Sequence, residues 1–191
     1  MLTLKNRIVR SATNEHLSET DGQVTRAWAD ALIELAAHEV GLVISGHFCV
    51  DASHRADEGQ PVVDEKTDRE ILRYAADGVH QYGSKVLIQL SHSGIKAMEA
   101  LNGIPPKHPE DFTSQELDRL VERFASAARR CQDCGADGVQ IHTAHGYLLS
   151  NFLNPAENLR TDEYGGSLAN RFRLIAHILS AVKTACGTAF I

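Results

Sequence analysis

The chain has 191 residues, 43% hydrophobic and 23% charged, enough to bury a core and typical of a folded globular protein rather than a disordered one. Its net charge of −6, from 19 basic and 25 acidic residues with no basic cluster, argues against a nucleic-acid surface or a polybasic membrane patch. The longest apolar stretch, around residues 40–50, is broken by Ser45, Gly46 and His47 and is too short to span a bilayer, and the first residues lack a signal-peptide pattern, so a cytoplasmic protein is expected.

Residues 7–12 read as a first strand, followed by a turn at Thr20, Asp21 and Gly22. Trp28, Ala31, Leu32, Leu35 and Ala36 recur at helical spacing and predict a helix over about 25–38. Residues 41–45 form a near-continuous apolar run, as in a strand covered on both faces, and 51–66 read as a long polar loop. Thr67 and Glu70 have capping-box spacing at the start of a helix carrying Ile71, Leu72, Ala75 and Val79, which ends near Gly83. A third strand covers 85–90.

A second capping box, Thr113 and Glu116, opens a helix with Leu117, Leu120, Val121, Phe124 and Ala128 on one face, closed by Gly135. Val139 and Ile141 alternate with Gln140 and His142 in a short fourth strand. After a polar loop over 155–164, Ser167 caps a helix bearing Leu168, Phe172, Ile175, Leu179 and Val182, and residues 188–191 read as the start of a fifth strand. Such alternation implies a parallel α/β sheet, either doubly wound or part of a (β/α)8 barrel. No glycine-rich dinucleotide fingerprint follows the first strand.

Chemistry concentrates in residues 137–147, DGVQIHTAHGY, where His142, His145 and Tyr147 follow the fourth strand. The carboxyl ends of parallel strands are where ligands bind. The HxxH spacing would also suit zinc, but zinc needs a third ligand. Tyr147 could instead pack on segment 148–152, and Gln89 could cap a strand end. Four cysteines are too few for a disulfide scaffold, and Cys131 and Cys134, spaced CxxC late in an amphipathic helix, have no second pair. Asp162, Glu163, Arg171 and Arg173 read as a solvated loop and helix face.

Residues 137–155, continued by NLRTDEYGGSLANR at 158–171, closely resemble the Old Yellow Enzyme family, FMN-dependent NADH:flavin oxidoreductases and ene-reductases built on a TIM barrel. LKNRIV at 4–9, VGLVISG at 40–46 and QLSHSG at 89–94 match that family in the right order. The resemblance implies that 1–191 is the N-terminal part of a flavin-binding (β/α)8 barrel, about the first four βα units plus the start of strand five. It implies FMN as cofactor, NADH or NADPH as reductant, and a small enone-type substrate, with no metal, nucleic acid or membrane partner.

Position by position, the resemblance puts Ser11, Ala12 and Thr13 along the flavin ring, Gly46 or His47 where a backbone group meets its pyrimidine, and the Gln89 amide at the same edge. His142 and His145 match the pair that hydrogen-bonds the substrate carbonyl, His142 also lying near the flavin, and Tyr147 matches the proton donor. Two imidazole donors at an oxygen that gains negative charge act as an oxyanion hole, and a phenol supplies the proton the α-carbon needs. Asn14 stands where some members carry a flavin-tuning cysteine. A different reading, from the barrel's need for eight strands, is a half-barrel without independent catalysis that needs a partner chain or self-association.

Overall fold

The computed structural model describes residues 2–188 and 190. Four parallel strands, β1 (Val9–Arg10), β2 (Leu42–Cys49), β3 (Lys85–Ser91) and β4 (Gly138–Ile141), lie in sequence order in one sheet. The crossovers carry α1 (Arg26–Ala37), α2 (Arg69–Gln81), α3 (Glu99–Asn102) and α4 (Ser114–Asp133), and β4 is followed by α5 (Leu148–Leu153) and α6 (Leu168–Cys186). The parallel α/β expectation holds. In the expected fifth strand, Ala189 and Ile191 lie outside the described residues, while the Phe190 carbonyl accepts the Val139 N–H at 2.9 Å. No described helix is long and apolar enough to cross a membrane.

The core lies between the sheet and its helices. Val43, Phe48, Val86, Ile88, Leu90 and Val139 turn toward Trp28, Leu32, Val79, Leu117 and Phe124, and the Trp28 and Phe48 rings meet edge to face at 5.3 Å. Full burial of side chains this size contributes about 1.5–3 kcal/mol each. Among the caps, Thr113 and Glu116 form the expected box and the Ser167 hydroxyl accepts the Asn170 N–H at 3.2 Å. The box at Thr67 does not form. Asp68 caps α2 by accepting the Glu70 N–H at 2.8 Å, while the buried Thr67 hydroxyl donates to the Val62 carbonyl at 3.2 Å.

Strand β2 runs four residues beyond the expected stretch, and a bulge in that extension determines which side chains face the open side of the sheet. Ile44 pairs with Leu87 and His47 with Gln89, so β2 has one more residue than β3 in that interval. Simple alternation would put Ile44 and His47 on opposite faces. The extra residue returns His47 to the face of Leu87 and Gln89, away from the helices.

Candidate active site

Parallel pairing sets His47 beside Gln89 and Gln89 beside Gln140, a polar row across three strands near their carboxyl ends. Gln89 Nε2 donates to Gln140 Oε1 at 2.7 Å. His142 follows Gln140 by two residues and therefore faces the same side, its backbone N–H tied to the Leu90 carbonyl at 2.9 Å. The rings gather there. The centroid of His142 lies 5.2 Å from that of His145 and 5.0 Å from that of Tyr147, and His47 lies 4.8 Å from Tyr147 and 5.8 Å from His142. His145, His142, Tyr147 and Gln89 thus occupy one strand-end region with His47.

The loop holding these rings is fixed by its own backbone. His145 and Gly146 have φ of 61° and 73°, a left-handed pair that reverses the chain and is unfavourable for a residue with a Cβ such as His145. The Gly146 carbonyl accepts from Asn151 Nδ2 at 3.1 Å, and the Leu148 N–H donates to the His92 carbonyl at 3.0 Å, so α5 anchors the loop to the residue just past β3. Lys96 Nζ lies 5.3 Å from the centre of the Tyr147 ring.

Burial lowers the His142 pKa to about 4, assisted by His47 and His145, so this imidazole is neutral at pH 7. Burial likewise lowers His47 and raises the Tyr147 phenol above its ordinary value. The site therefore offers uncharged N–H and O–H donors.

Segment 11–15 approaches this region over Gly46. Both Glu15 carboxylate oxygens accept the Gly46 N–H, at 3.1 and 3.2 Å, and Arg10 Nη1 bridges Glu15 (2.7 Å) and the Ile44 carbonyl (2.8 Å). A Cβ on Gly46 would stand 2.8 Å from the Thr13 carbonyl and the Asn14 Cα. Ser11 and Thr13 are exposed and Ala12 is half-buried, and the Gly46 N–H is already engaged.

Asp162 and Glu163 are exposed, while the arginines after β4 are at least half-buried and tie chain segments together. Arg160, buried along its length, pairs with Asp162 and donates to the Pro109 and Phe112 carbonyls at 2.6 Å. Arg171 donates to the Leu153 carbonyl at 2.8 Å and Arg173 to the Glu163 carbonyl at 2.8 Å. The reading of Arg171 and Arg173 as a solvated face is corrected by these bonds. Cys131 and Cys134 are both buried, and burial raises both thiols.

Two features escaped the sequence. Asp51, His54 and His92 converge with ligand-type atoms within 4.8 Å of one another, the one such group among the described residues. The Arg123 guanidinium already pairs with Asp51, and the Gly94 N–H donates to His92 Nδ1 at 3.1 Å. Neutral His92 therefore carries its proton on Nε2, the atom facing Asp51, where a metal would need a lone pair. This is an internal charge network. The other is Gln60, fully buried and bonded to His47, which nothing in the polar composition of 51–66 distinguishes.

Comparison with known proteins follows the same outline. The model of the NADH:flavin oxidoreductase / NADH oxidase family matches residues 1–191. The chain is 35% identical to the NADPH dehydrogenase of Geobacillus sp. (strain WCH70) over 194 aligned positions, covering 95% of this chain and 56% of that protein. It superposes on Old Yellow Enzyme from Pichia sp. AKU4542 with a TM-score of 0.90 at 27% identity, over 97% of this chain and 54% of that one. Morphinone reductase in complex with tetrahydroNAD gives a TM-score of 0.89 at 25% identity, over 97% and 58%. The chain spans just over half the length of each of these three relatives.

Proposed function

Because the chain belongs to the NADH:flavin oxidoreductase / NADH oxidase family, we propose that residues 1–191 form the N-terminal part of a flavin-binding (β/α)8 barrel that reduces an activated C=C bond with NADH or NADPH. One observation carries this reading: His47, Gln89, Gln140 and His142 share the helix-free face at the strand carboxyl ends. In a barrel that end is the catalytic mouth. The names NADPH dehydrogenase and morphinone reductase, the latter with tetrahydroNAD bound, support the nicotinamide half of the reaction.

The residues fit FMN. Among the described residues, no protein bond engages the Tyr147 hydroxyl, Gln89 Oε1 or the His142 ring, so these polar groups are left for a bound molecule. Gln89, His47 and His142 would hold its polar edge, with 11–13 alongside. When bound, FMN supplies two-electron chemistry, taking hydride from the nicotinamide and giving it to the β-carbon of an enone. His142 and His145 bind the carbonyl oxygen through N–H bonds, and the negative charge building there strengthens them. Tyr147, a phenol whose pKa burial raises further above neutrality, gives its proton to the α-carbon, completing addition of two hydrogens.

A second reading is favoured by the outer edge of β4, which the Phe190 carbonyl meets at Val139 but no described strand covers, beside a groove of about 430 Å³ lined by Val139, Ile141, Leu153, Phe172, Ile175 and Leu179. In it, this four-stranded sheet catalyses nothing until another chain or copy completes it. The test is absorbance near 450 nm of the purified 191-residue chain mixed with FMN, then anaerobic NADPH and 2-cyclohexenone. Bound flavin that NADPH bleaches and the enone recolours upholds the first reading. No flavin on this chain, with flavin on a longer protein containing it, upholds the second, and flavin on neither removes both.

A further inference from the structure

The Gln60 side chain reaches from the loop after β2 into the interior and ends on the ring of His47. Its Oε1 accepts the Ala56 backbone N–H at 2.6 Å and faces the Ser93 hydroxyl at 3.2 Å. A backbone N–H can only donate, so the amide cannot be turned around without setting two donors against each other. Its Nε2 therefore points the other way and donates to His47 Nδ1 at 2.8 Å, with the His47 carbonyl (3.3 Å) and Ser91 Oγ (3.2 Å) also in reach. Gln60 is 0% exposed and His47 7% exposed, so water does not compete for these bonds.

The tautomer of His47 follows. A neutral imidazole has one N–H and one lone pair. Nδ1 lies 2.8 Å from the Gln60 Nε2 donor and 3.2 Å from Ser91 Oγ, whose own O–H reaches the Phe48 carbonyl at 3.3 Å. The closer contact assigns Nδ1 the lone pair, since an Nδ1–H would set two donors 2.8 Å apart. The hydrogen is then on Nε2. Among the described residues no acceptor bonds Nε2, and it is not among the sealed polar atoms. The His47 ring itself lies beside those of Tyr147, 4.8 Å away, and His142, 5.8 Å away.

We infer that the His47 side chain is a third imidazole N–H donor of this site, held in that form by Gln60 as a positioning residue, and that it recognises a carbonyl oxygen of the bound molecule. The resemblance gave position 46 or 47 a backbone contact only. The imidazole role comes from the β2 bulge, which brings His47 to the open face, and from Gln60 behind it. The inference rests on the reading of this site as a flavin and enone site. That leaves two sources for the oxygen, a flavin ring carbonyl or the substrate.

The test begins with long-range ¹H–¹⁵N spectra of the ¹⁵N-histidine-labelled chain without ligand, with His47 assigned by loss of its signals in His47→Phe. The inference expects an unprotonated Nδ1 and a protonated Nε2 at pH 7. It also expects the near-isosteric Gln60→Glu, whose carboxylate can only accept, to move the proton to Nδ1 or to charge the ring while circular dichroism stays unchanged. A purely structural Gln60 would leave the tautomer as it was, and that result, or Nδ1–H in the unaltered chain, overturns the inference.

FMN and the unreactive ketone cyclohexanone are then titrated separately, following the Nε2 signal. His47→Phe should weaken the probe that supplies the oxygen by about threefold to tenfold, the range of one neutral hydrogen bond, and leave the other unchanged. FMN bound by its own fluorescence quenching without any response at Nε2 from either probe overturns the recognition and leaves the functional reading standing. No binding of either probe by this chain or by a longer protein containing it removes both.

Discussion

Gln89 and Gln140 face each other across β3 and β4, the Nε2 of the first donating to the Oε1 of the second at 2.7 Å. In this arrangement Gln89 Oε1 is turned away from Gln140.

Removing that partner should be felt at the cofactor. Gln140→Leu frees the Gln89 amide to rotate and leaves a donor at a buried site unpaired, at a cost of about 1–3 kcal/mol. We expect a lower urea midpoint and several-fold weaker FMN binding, measured by fluorescence quenching. An unchanged FMN affinity in Gln140→Leu and Gln89→Leu alike would show that this row does not meet the flavin.

Tyr147→Phe keeps the ring packed beside His47 and His142 but removes the proton. Flavin bleaching by NADPH should survive, while recolouring by 2-cyclohexenone should slow by about 10²–10⁴-fold, the range for loss of one general acid. Stopped-flow absorbance of the two half-reactions reads both numbers. Equal rates before and after the substitution would take Tyr147 out of the reaction.

Gly46→Ala puts a Cβ 2.6 Å from Glu15 Oε2 and 2.8 Å from the backbone at Thr13 and Asn14. Backbone cannot yield as a side-chain tip can, so segment 11–15 must lift from β2. Strain of this kind costs about 1–3 kcal/mol, visible as a lower urea midpoint, and proteolysis within 10–16 should quicken.

Gly165→Ala should be more damaging. Its Cβ would fall 1.9 Å from the Arg160 carbonyl, where Asp162, Pro109 and Phe112 already hold the Arg160 side chain. A loss of about 3 kcal/mol or more, or failure to accumulate folded protein, is expected by circular dichroism. Near-native stability would mean that the turn adapts at little cost.

Acid should weaken the fold in a defined window. Burial holds His142 at about 4 and His92 at about 3, against 6.5 for an unburied ring. Above pH 6.5 both rings are neutral folded and unfolded, and contribute nothing to the slope. Between 6.5 and about 3 the unfolded chain binds protons that the folded chain refuses, so stability falls with pH by a few kcal/mol and the histidine contribution then levels off. Asp51 adds to the loss at the acid end. Burial alone would raise its carboxyl, but bonds from His54 and Ser53 with the nearby Arg123 hold it below 3.8, and the stability it lends is lost as pH drops beneath that value. Urea midpoints from pH 7 to 3 test this, and His142→Asn should flatten the segment between 6.5 and 4.

The sequence by itself determined what nearest-neighbour physics dictates. Apolar spacing marked α1, α2, α4 and α6, alternation marked β4, and the side chains of Thr113 and Ser167 capped helices that start one residue later. His142, His145 and Tyr147 were legible for the same reason, since a strand end and the residues just past it form one short piece of chain. Contacts that follow no helix or strand period were decided by the tertiary structure alone. Thr67 lost its expected cap because its hydroxyl is buried against Val62, and His47 reached the open face only through a bulge visible against the register of β3. Gln60 in its loop and Arg160 at its three carbonyl and carboxylate partners gained their roles the same way. Hydrogen-bond partners far apart in sequence are set by strand register and loop path, and neither leaves a period in the chain.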